Sequence, residues 1–453
     1  MEARPLDYLV AASGGRLEQG DGGVFFHRAV TDSRRVGPED LFIALQGDRF
    51  DGHDYVAQAA AAGATAVMVD RPVDADCAKV IVDDTRAALG RFAARYRRDY
   101  ELPVIGIAGS NGKTSTKELL GAILRQHMAT VWSEASFNND IGVPVTLLRI
   151  ENFHRAAVLE LGTNHPGELA PLVKMAAPTL GVITSIGREH LEFFGDVAGV
   201  AREEGMLAEL LPTGGKLFLY GDSEWSKEIA ARSTVPVSTV GTAVGNDWRA
   251  GNIRQYPDGV VFRVDGPVDG EFRLRMLGHH QATNALLAIA VAAELGVPCD
   301  VIAEGLASCM GPRHRLQVTE LNGVRIIDDA YNANADSVNA ALNALADMPC
   351  EGKRLAVLGP MAELGENTRA AHEEAGQVAA ALGIDVLLAV GANAALTVDA
   401  ARDAGLASTL ALPDNAAAVR MLRDEMGRGD VVLLKGSRTA RLEEVIVGLK
   451  EQA

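Results

Sequence analysis

Apolar residues along the chain follow two signatures that alternate: short uninterrupted runs, and longer stretches in which they return every three or four positions. The runs "VIGIAG", "AAVLELG", "TLGVITSIG" and "KLFLYGD" predict buried strands, and the stretches between them predict amphipathic helices. Strands with no polar alternation, separated by helices, indicate a parallel sheet covered on both faces. A second series of the same kind, "GVRIIDDAY", "KRLAVLGPM", "DVLLAVG" and "DVVLLKGS", occupies the last third of the chain. Ahead of both lie shorter elements: glycine-broken strands in "GGRLEQGDGGVFF", a strand in "DLFIALQG", and a helix feeding a strand in "YVAQAAAAGATAVMVD".

Two interruptions divide these series. The helix predicted over "RAALGRFAARYRRDYELP" ends in basic residues and is followed by Pro103; glycine and proline break the pattern again in "CMGPRHRLQV". A chain of 453 residues exceeds one ordinary core. The expected division is therefore a small N-terminal α/β domain over 1–102, a central parallel-sheet domain over 103–312, and a C-terminal α/β domain over 313–453.

Composition narrows the function. Hydrophobic residues make up 48 % of the chain, yet no apolar run is long enough to span a bilayer, and charges interrupt the N-terminus where a secretory signal needs its apolar core. A cytoplasmic protein with no membrane insertion is expected. Cys77, Cys299, Cys309 and Cys350 form no C-x-x-C pair, so neither a disulfide nor a zinc site is expected. The net charge of -17, with no basic cluster, argues against a nucleic acid partner; anionic ligands must be met by local sites.

One such site is explicit. In "VIGIAGSNGKTSTKELL" a buried strand ends in a glycine turn and a helix begins at Lys113 or Thr114. Backbone N–H groups of Gly109, Ser110, Asn111, Gly112 and Ser115, with the helix N-terminus, suit a phosphate; Lys113 can reach the outer phosphates and Thr114 can ligate Mg²⁺. The loop is tighter than the common G-x-x-x-x-G-K-[ST] form, because Ile107 stands where the first glycine would be. Glu160 stands at the end of the buried run in "VLELGTNHPGE" and His190 follows "VITSIGRE", which places both near the carboxyl ends of strands, where open α/β sheets bind ligands. Each alone could be a cap or a satisfied core residue; beside a phosphate loop they suit a second Mg²⁺ position.

These residues carry a resemblance. "AGSNGKTSTKE", "SFNNDIGVPVTLL", "LELGTNHPGE", "GREHLEFFG", "DDAYNANADSV", "VLGPMAELG" and "LLKGSRTARLEEVI", in this order and preceded by "TDSRRVGPEDLFIALQGDRFDGHDY", resemble the Mur ligases of bacterial cell-wall synthesis, tight phosphate loop included. The resemblance covers nearly the whole chain. It implies a UDP-binding N-terminal domain, a central P-loop ATPase-like domain and a Rossmann-like C-terminal domain that closes over the site. It also implies the reaction of the member that joins D-alanyl-D-alanine to UDP-N-acetylmuramoyl-tripeptide. The tripeptide carboxylate attacks the ATP γ-phosphate, and the dipeptide amine then displaces phosphate from the acyl phosphate. ATP and Mg²⁺ are the implied cofactors, and a monomer is expected.

Carried over by motif, Lys113, Glu160 and His190 belong to the catalytic centre, and Asn284, Arg315 and Asp329 hold ATP. Thr31, Asp32, Ser33 and Arg34, with Phe50, Asp51, Gly52 and His53, look like the uridine-nucleotide contacts. Asn138, Asn139 and Asp140 shape the muramoyl-peptide site, although an Asn/Asp cluster also reads simply as a turn. Asn332, Lys435, Ser437 and Arg438 complete the substrate set. Three positions depart from the family: Gln281 replaces a common asparagine, Pro360 a frequent aspartate, and Glu204 the lysine that many Mur ligases carbamylate, fourteen residues after His190. A glutamate supplies similar oxygen donors without CO₂, so Glu204 joins Thr114, Glu160 and His190 as an expected Mg²⁺ ligand, direct or through water.

The rivals are the tripeptide-forming Mur ligase, whose usual D-N-P-R motif is missing here, and folylpolyglutamate synthetase, which should lack the "TDSRR" domain. A catalytically inactive nucleotide-binding scaffold is the alternative from another class, and intact Lys113, Glu160 and His190 argue against it.

Overall fold

A computed structural model describes residues 1–47 and 49–451. Among the described residues three large sheets, each with helices packed against it, follow one another along the chain, and Arg4–Pro5 and Phe25–Phe26 form a separate two-stranded antiparallel pair. The first has five strands, in the order Arg16–Gln19, Ala78–Ile81, Ala66–Val69, Asp40–Ile43, Arg28–Val30; only the first pairing is antiparallel. Its central strands are buried residue by residue, as uninterrupted apolar runs require. Helix Thr85–Arg97 covers it, capped by the Asp84 side chain, which accepts from the Ala87 N–H at 2.7 Å.

The second sheet has nine strands. Seven are parallel, in the order Trp248–Tyr256, Val237–Gly241, Lys216–Tyr220, Leu180–Ile183, Val104–Ala108, Ala156–Glu160, Thr130–Trp132. The strand order reverses around Val104–Ala108, so the crevice for a ligand opens at its carboxyl end. From the last of these parallel strands, Trp248–Tyr256, the chain turns back as Gly259–Asp265 and Gly270–Leu274, an antiparallel meander beyond the expected parallel architecture. Burial alternates along Trp248–Tyr256, with one face covered and the other open, and Gly259, at φ 152°, makes the tight return.

The C-terminal sheet runs Gln317–Leu321, Val324–Asp329, Val431–Lys435, Arg354–Leu358, Val386–Val390, Thr409–Leu412, parallel except for the first pair. This is the Rossmann-like unit. Among the described residues no helix is long and apolar enough to cross a membrane.

The junctions differ. Leu9, Phe92 and Tyr96 of the first unit and Val143, Leu147 and Val173 of the second lie in one continuous apolar cluster, and Tyr96 donates from its hydroxyl to the Ile150 carbonyl at 2.6 Å. The third unit has its own apolar clusters, joined by one central side chain, Leu277. It meets the central unit largely through polar groups.

Candidate active site

The phosphate loop links strand Val104–Ala108 to helix Lys113–His127. Gly109 and Gly112 have φ of 114° and 91°, the left-handed region that glycine enters without strain. Space demands glycine as well: a Cβ on Gly112 would lie 2.3 Å from Asn284 Oδ1, and one on Gly109 would lie 2.5 Å from Thr184 Oγ1. Thr184 and Ser185, directly after strand Leu180–Ile183, brace the loop. Both hydroxyls donate to the Asn111 carbonyl, at 2.7 and 3.0 Å, and Ser185 Oγ accepts from the Asn111 N–H at 2.8 Å.

Lys113 is folded back on its own loop. It donates to the carbonyls of Gly109 and Ser110, with Glu189 3.6 Å and Glu204 4.0 Å away. Burial works against its ammonium, but Glu189, Glu204 and Glu160 outweigh that and raise its pKa. Glu204 is 0 % exposed and lies beneath the loop, where Oε2 accepts from the Gly109 N–H at 2.7 Å and Oε1, facing the Lys113 ammonium, makes no hydrogen bond. Burial pushes its carboxyl up to about 8 against the pull of Lys113, with Glu189 adding to the rise.

Glu160 closes strand Ala156–Glu160. Its Oε1 accepts from Asn138 Nδ2 at 2.9 Å, while Oε2 is buried without a hydrogen bond, 3.8 Å from the Lys117 ammonium. His190, at φ 48°, meets Glu363 of the C-terminal unit through Nδ1. Among the described residues no three carboxylate, imidazole or thiolate groups converge as a ready-made metal cage. Thr114 and Glu160 nevertheless line one polar cleft, and a hydroxyl beside a carboxylate with an oxygen free of hydrogen bonds suits Mg²⁺, which keeps waters and substrate phosphates in its shell.

Three cavities adjoin this centre. One of about 270 Å³ is lined by Ser110 to Ser115, Asn138, Glu160, His190, Arg315 and Asn332, and also by Glu189. A second, of about 430 Å³, lies between the central and C-terminal units; Asn284, Gln281, Arg315, Asp329 and Lys435 face it beside Asn111 and Gly112. Lys435 is buried there, 2.7 Å from Asp329 Oδ2 and donating to the Asn332 carbonyl at 2.8 Å. A third, of about 650 Å³, lies between the N-terminal and central units and takes in Thr31, Asp32 and Asn139, with Arg28, Arg35 and Arg149.

Other expected residues stand apart from these walls. Arg34 turns back on Asp32 at 2.8 Å beside Ser33, and Phe50 is exposed. Asp51 and His53 bond each other at 2.7 Å in the turn around Gly52, and Asp140 pairs with Arg86. Ser437 is buried and bonds Thr439, and Arg438 reaches Glu443 at 2.8 Å.

Several contributors were not foreseen from the sequence: Glu189, the loop braces Thr184 and Ser185, and the residues that dock the C-terminal unit. Arg188 is foremost. Its Nε donates to Asp336 Oδ1 at 2.8 Å, its backbone N–H to Asp336 Oδ2 at 2.7 Å, and its two Nη atoms to the two oxygens of Glu374. Asn334 Nδ2 donates to Asn111 Oδ1 at 3.0 Å, tying the C-terminal unit to the phosphate loop. Nothing local signals these pairs, whose members lie more than a hundred residues apart.

Comparison with known proteins follows the same three-part division. The family model "Mur ligase family, catalytic domain" matches residues 26–97, "Mur ligase middle domain" 107–292, and "Mur ligase, glutamate ligase domain" 314–438. The chain is 38 % identical to a UDP-N-acetylmuramoyl-tripeptide--D-alanyl-D-alanine ligase of Escherichia coli (strain K12), over 98 % of each chain. Among solved structures, MurF from Acinetobacter baumannii superposes with a TM-score of 0.93 at 32 % identity, covering 100 % of this chain and 99 % of that one. MurF ligase from Thermotoga maritima in complex with ADP gives 0.82 at 27 %, covering 94 % and 97 %. With end-to-end relatives at this identity and all three family models met in order, the chain belongs to the Mur ligase family.

Proposed function

We propose that this protein joins D-alanyl-D-alanine to UDP-N-acetylmuramoyl-tripeptide, with ATP converted to ADP and phosphate, in the cytoplasmic stage of peptidoglycan synthesis. One observation carries the reading: the small polar cleft holding Lys113 and Glu160 shares Asn111, Gly112, Ser115 and Arg315 with the cavity at the C-terminal unit, and Ser136 with the cavity at the N-terminal unit. A nucleotide in the former and a UDP-sugar peptide in the latter would bring γ-phosphate and peptide carboxylate together in the cleft between them.

The residues fit the reaction. A carboxylate oxygen attacks the γ-phosphorus and ADP leaves. The dipeptide nitrogen then bonds to the acyl carbon, gives up its proton, and phosphate departs with the former carboxylate oxygen. No enzyme nucleophile is required. Two anions must meet in the first step, so the protein's task is to orient and screen them. Released from its loop carbonyls, Lys113 would carry charge to the outer phosphates, while the loop N–H groups cradle them. Arg315 reaches the cleft from the C-terminal unit, and Asn284 and Asp329 line the nucleotide cavity.

Thr114, Glu160 and His190 are the residues we assign to Mg²⁺, which would supply charge neutralisation at the transferring phosphoryl group. Glu204 would serve the same centre from beneath the loop, one oxygen on Gly109 and the other free of hydrogen bonds on the Lys113 side. Thr31 to Arg34, Phe50 to His53, and Asn138 to Asp140 are assigned to the UDP-muramoyl peptide; Asn332, Lys435, Ser437 and Arg438 are assigned to the substrate from the C-terminal side. We place the domain limits at 102/103 and 312/313, in the intervals between the three sheets.

The test is phosphate release with each component omitted in turn. Turnover that needs ATP, UDP-N-acetylmuramoyl-tripeptide and D-alanyl-D-alanine together is expected. Turnover with a free amino acid in place of the dipeptide, on a shorter UDP-muramoyl peptide, would favour the tripeptide-forming reaction, and none under any combination would favour a scaffold.

A further inference from the structure

Tyr331 belongs to "DDAYNAN", yet the chemistry above does not use it. Its hydroxyl donates across the domain boundary to Ser136 Oγ at 2.7 Å, and its ring lies beneath the Arg315 guanidinium, 4.4 Å from ring centroid to Cζ. Each partner occupies a telling place. Ser136 borders both the central cleft and the cavity at the N-terminal unit; Arg315 borders the central cleft and the cavity at the C-terminal unit. Tyr331 itself lines the cleft between them. A single side chain therefore touches one residue from the wall of each outer cavity.

The loop that carries Ser136 is held firmly from the opposite side. Lys117, one turn into the helix after the phosphate loop, is 0 % exposed and donates to the carbonyl of Ala135, a residue at φ 45°. The same ammonium lies 3.8 Å from Glu160 Oε2. Three residues on, Asn138 donates to Glu160, and its carbonyl accepts from the Gly162 N–H at 2.9 Å. The loop is anchored to the central unit at Ala135 and Asn138, and Ser136, between these anchors, is bound by the C-terminal unit.

We propose that Tyr331 is a positioning residue that couples the two outer cavities: a muramoyl peptide that settles the Ser136 loop fixes Tyr331, and Tyr331 fixes Arg315 over the nucleotide. The coupling is reciprocal, so a nucleotide that draws Arg315 and the C-terminal unit into place also favours the loop conformation that receives the peptide. This rests on the assignment of the two cavities under the proposed function.

Titration calorimetry tests it with a non-hydrolysable ATP analogue, in the absence and presence of saturating UDP-N-acetylmuramoyl-tripeptide. In the wild type the UDP substrate should tighten analogue binding by about fivefold or more, the lower end of ordinary site-to-site coupling. Tyr331→Phe keeps the ring beneath Arg315 and removes only the hydroxyl. It should bind each ligand alone within about twofold of wild type and lose most of the tightening. Ser136→Ala should also lose most of the tightening, read as the ratio of analogue affinities with and without UDP substrate, and the double variant should add nothing further, as members of one interaction do in a mutant cycle. A Tyr331→Phe enzyme with the wild-type tightening, or a wild type with none, overturns the proposal. Failure of the wild type to bind the UDP substrate at all overturns the functional reading and the coupling with it.

Discussion

On one side the central unit shares an apolar core with its N-terminal neighbour: Tyr96 is fully buried, its hydroxyl bonded to the Ile150 carbonyl, the Glu2 N–H and Tyr100. On the other side it meets the C-terminal unit through Arg188 with Asp336 and Glu374, Asn111 with Asn334, Ser136 with Tyr331, and His190 with Glu363. Parting the first junction would expose apolar surface to water, whereas groups of the second can exchange their partners for water at modest net cost. The cavity assigned to the UDP substrate lies at the first junction, and the cavity assigned to ATP lies at the second. The contrast teaches a division of labour. On the proposed assignment, a fixed junction would hold the large substrate, and a separable one would admit the nucleotide and close on it.

The contrast breaks most visibly at the apolar junction. Tyr96→Ala should destabilise the folded protein by about 3–5 kcal/mol, as large-to-small substitutions of buried aromatics do. In denaturant the N-terminal and central units should unfold together at a lower midpoint. Separate transitions for the two units in the wild type would contradict a shared core.

At the polar junction the expectation reverses. Arg188 is about one-third exposed, with a side-chain accessibility of 33 %, so Arg188→Ala should change global stability by about 1 kcal/mol or less. Its effect belongs to ligation, which should fall on the order of tenfold through poorer placement of the C-terminal unit. Small-angle scattering with ATP analogue and UDP substrate should show less compaction than in the wild type. Arg188→Ala with full activity and full compaction would remove Arg188 from the closing contacts.

A smaller effect sharpens the same comparison. The buried Glu204 carboxyl is held up to about 8 from an ordinary 4.5, so the folded ligand-free protein keeps a proton that the unfolded chain has released. The corresponding stability is fully present below about pH 4.5 and is lost as pH rises through about 8. Thermal unfolding of the ligand-free protein should therefore show a decline across that window that is shallower in Glu204→Gln. Equal slopes in the two proteins would place the proton elsewhere.

Much of this was legible in the sequence because the signals are local. The glycines of "AGSNGK" and the acid ending "VLE" located Gly109, Gly112, Lys113 and Glu160 from strand, turn and helix order alone. The antiparallel meander was not foreseen, because its edge strands alternate weakly and follow a long parallel series. Lys117 stands in a helix beside the acidic Glu118, its ion-pair partner at 3.0 Å, yet it is fully buried, since the Ala135 loop and Glu160 also enclose its ammonium. Arg188 sits in a loop with no periodicity, and its partners lie 148 and 186 residues away. Local pattern carries the elements and the loops built on them, while contacts that close one domain on another depend on the assembled fold.

The most direct test of the account is Lys113→Ala, measured for ligation and for UDP-substrate binding in parallel. If the phosphate loop drives the chemistry while the fixed junction holds the UDP substrate, ligation should fall by on the order of 100-fold or more. The dissociation constant for UDP-N-acetylmuramoyl-tripeptide, measured without nucleotide, should stay within about twofold of wild type, because Lys113 lies outside that cavity. Turnover within a few-fold of wild type, or loss of UDP-substrate binding alongside ligation, would contradict it.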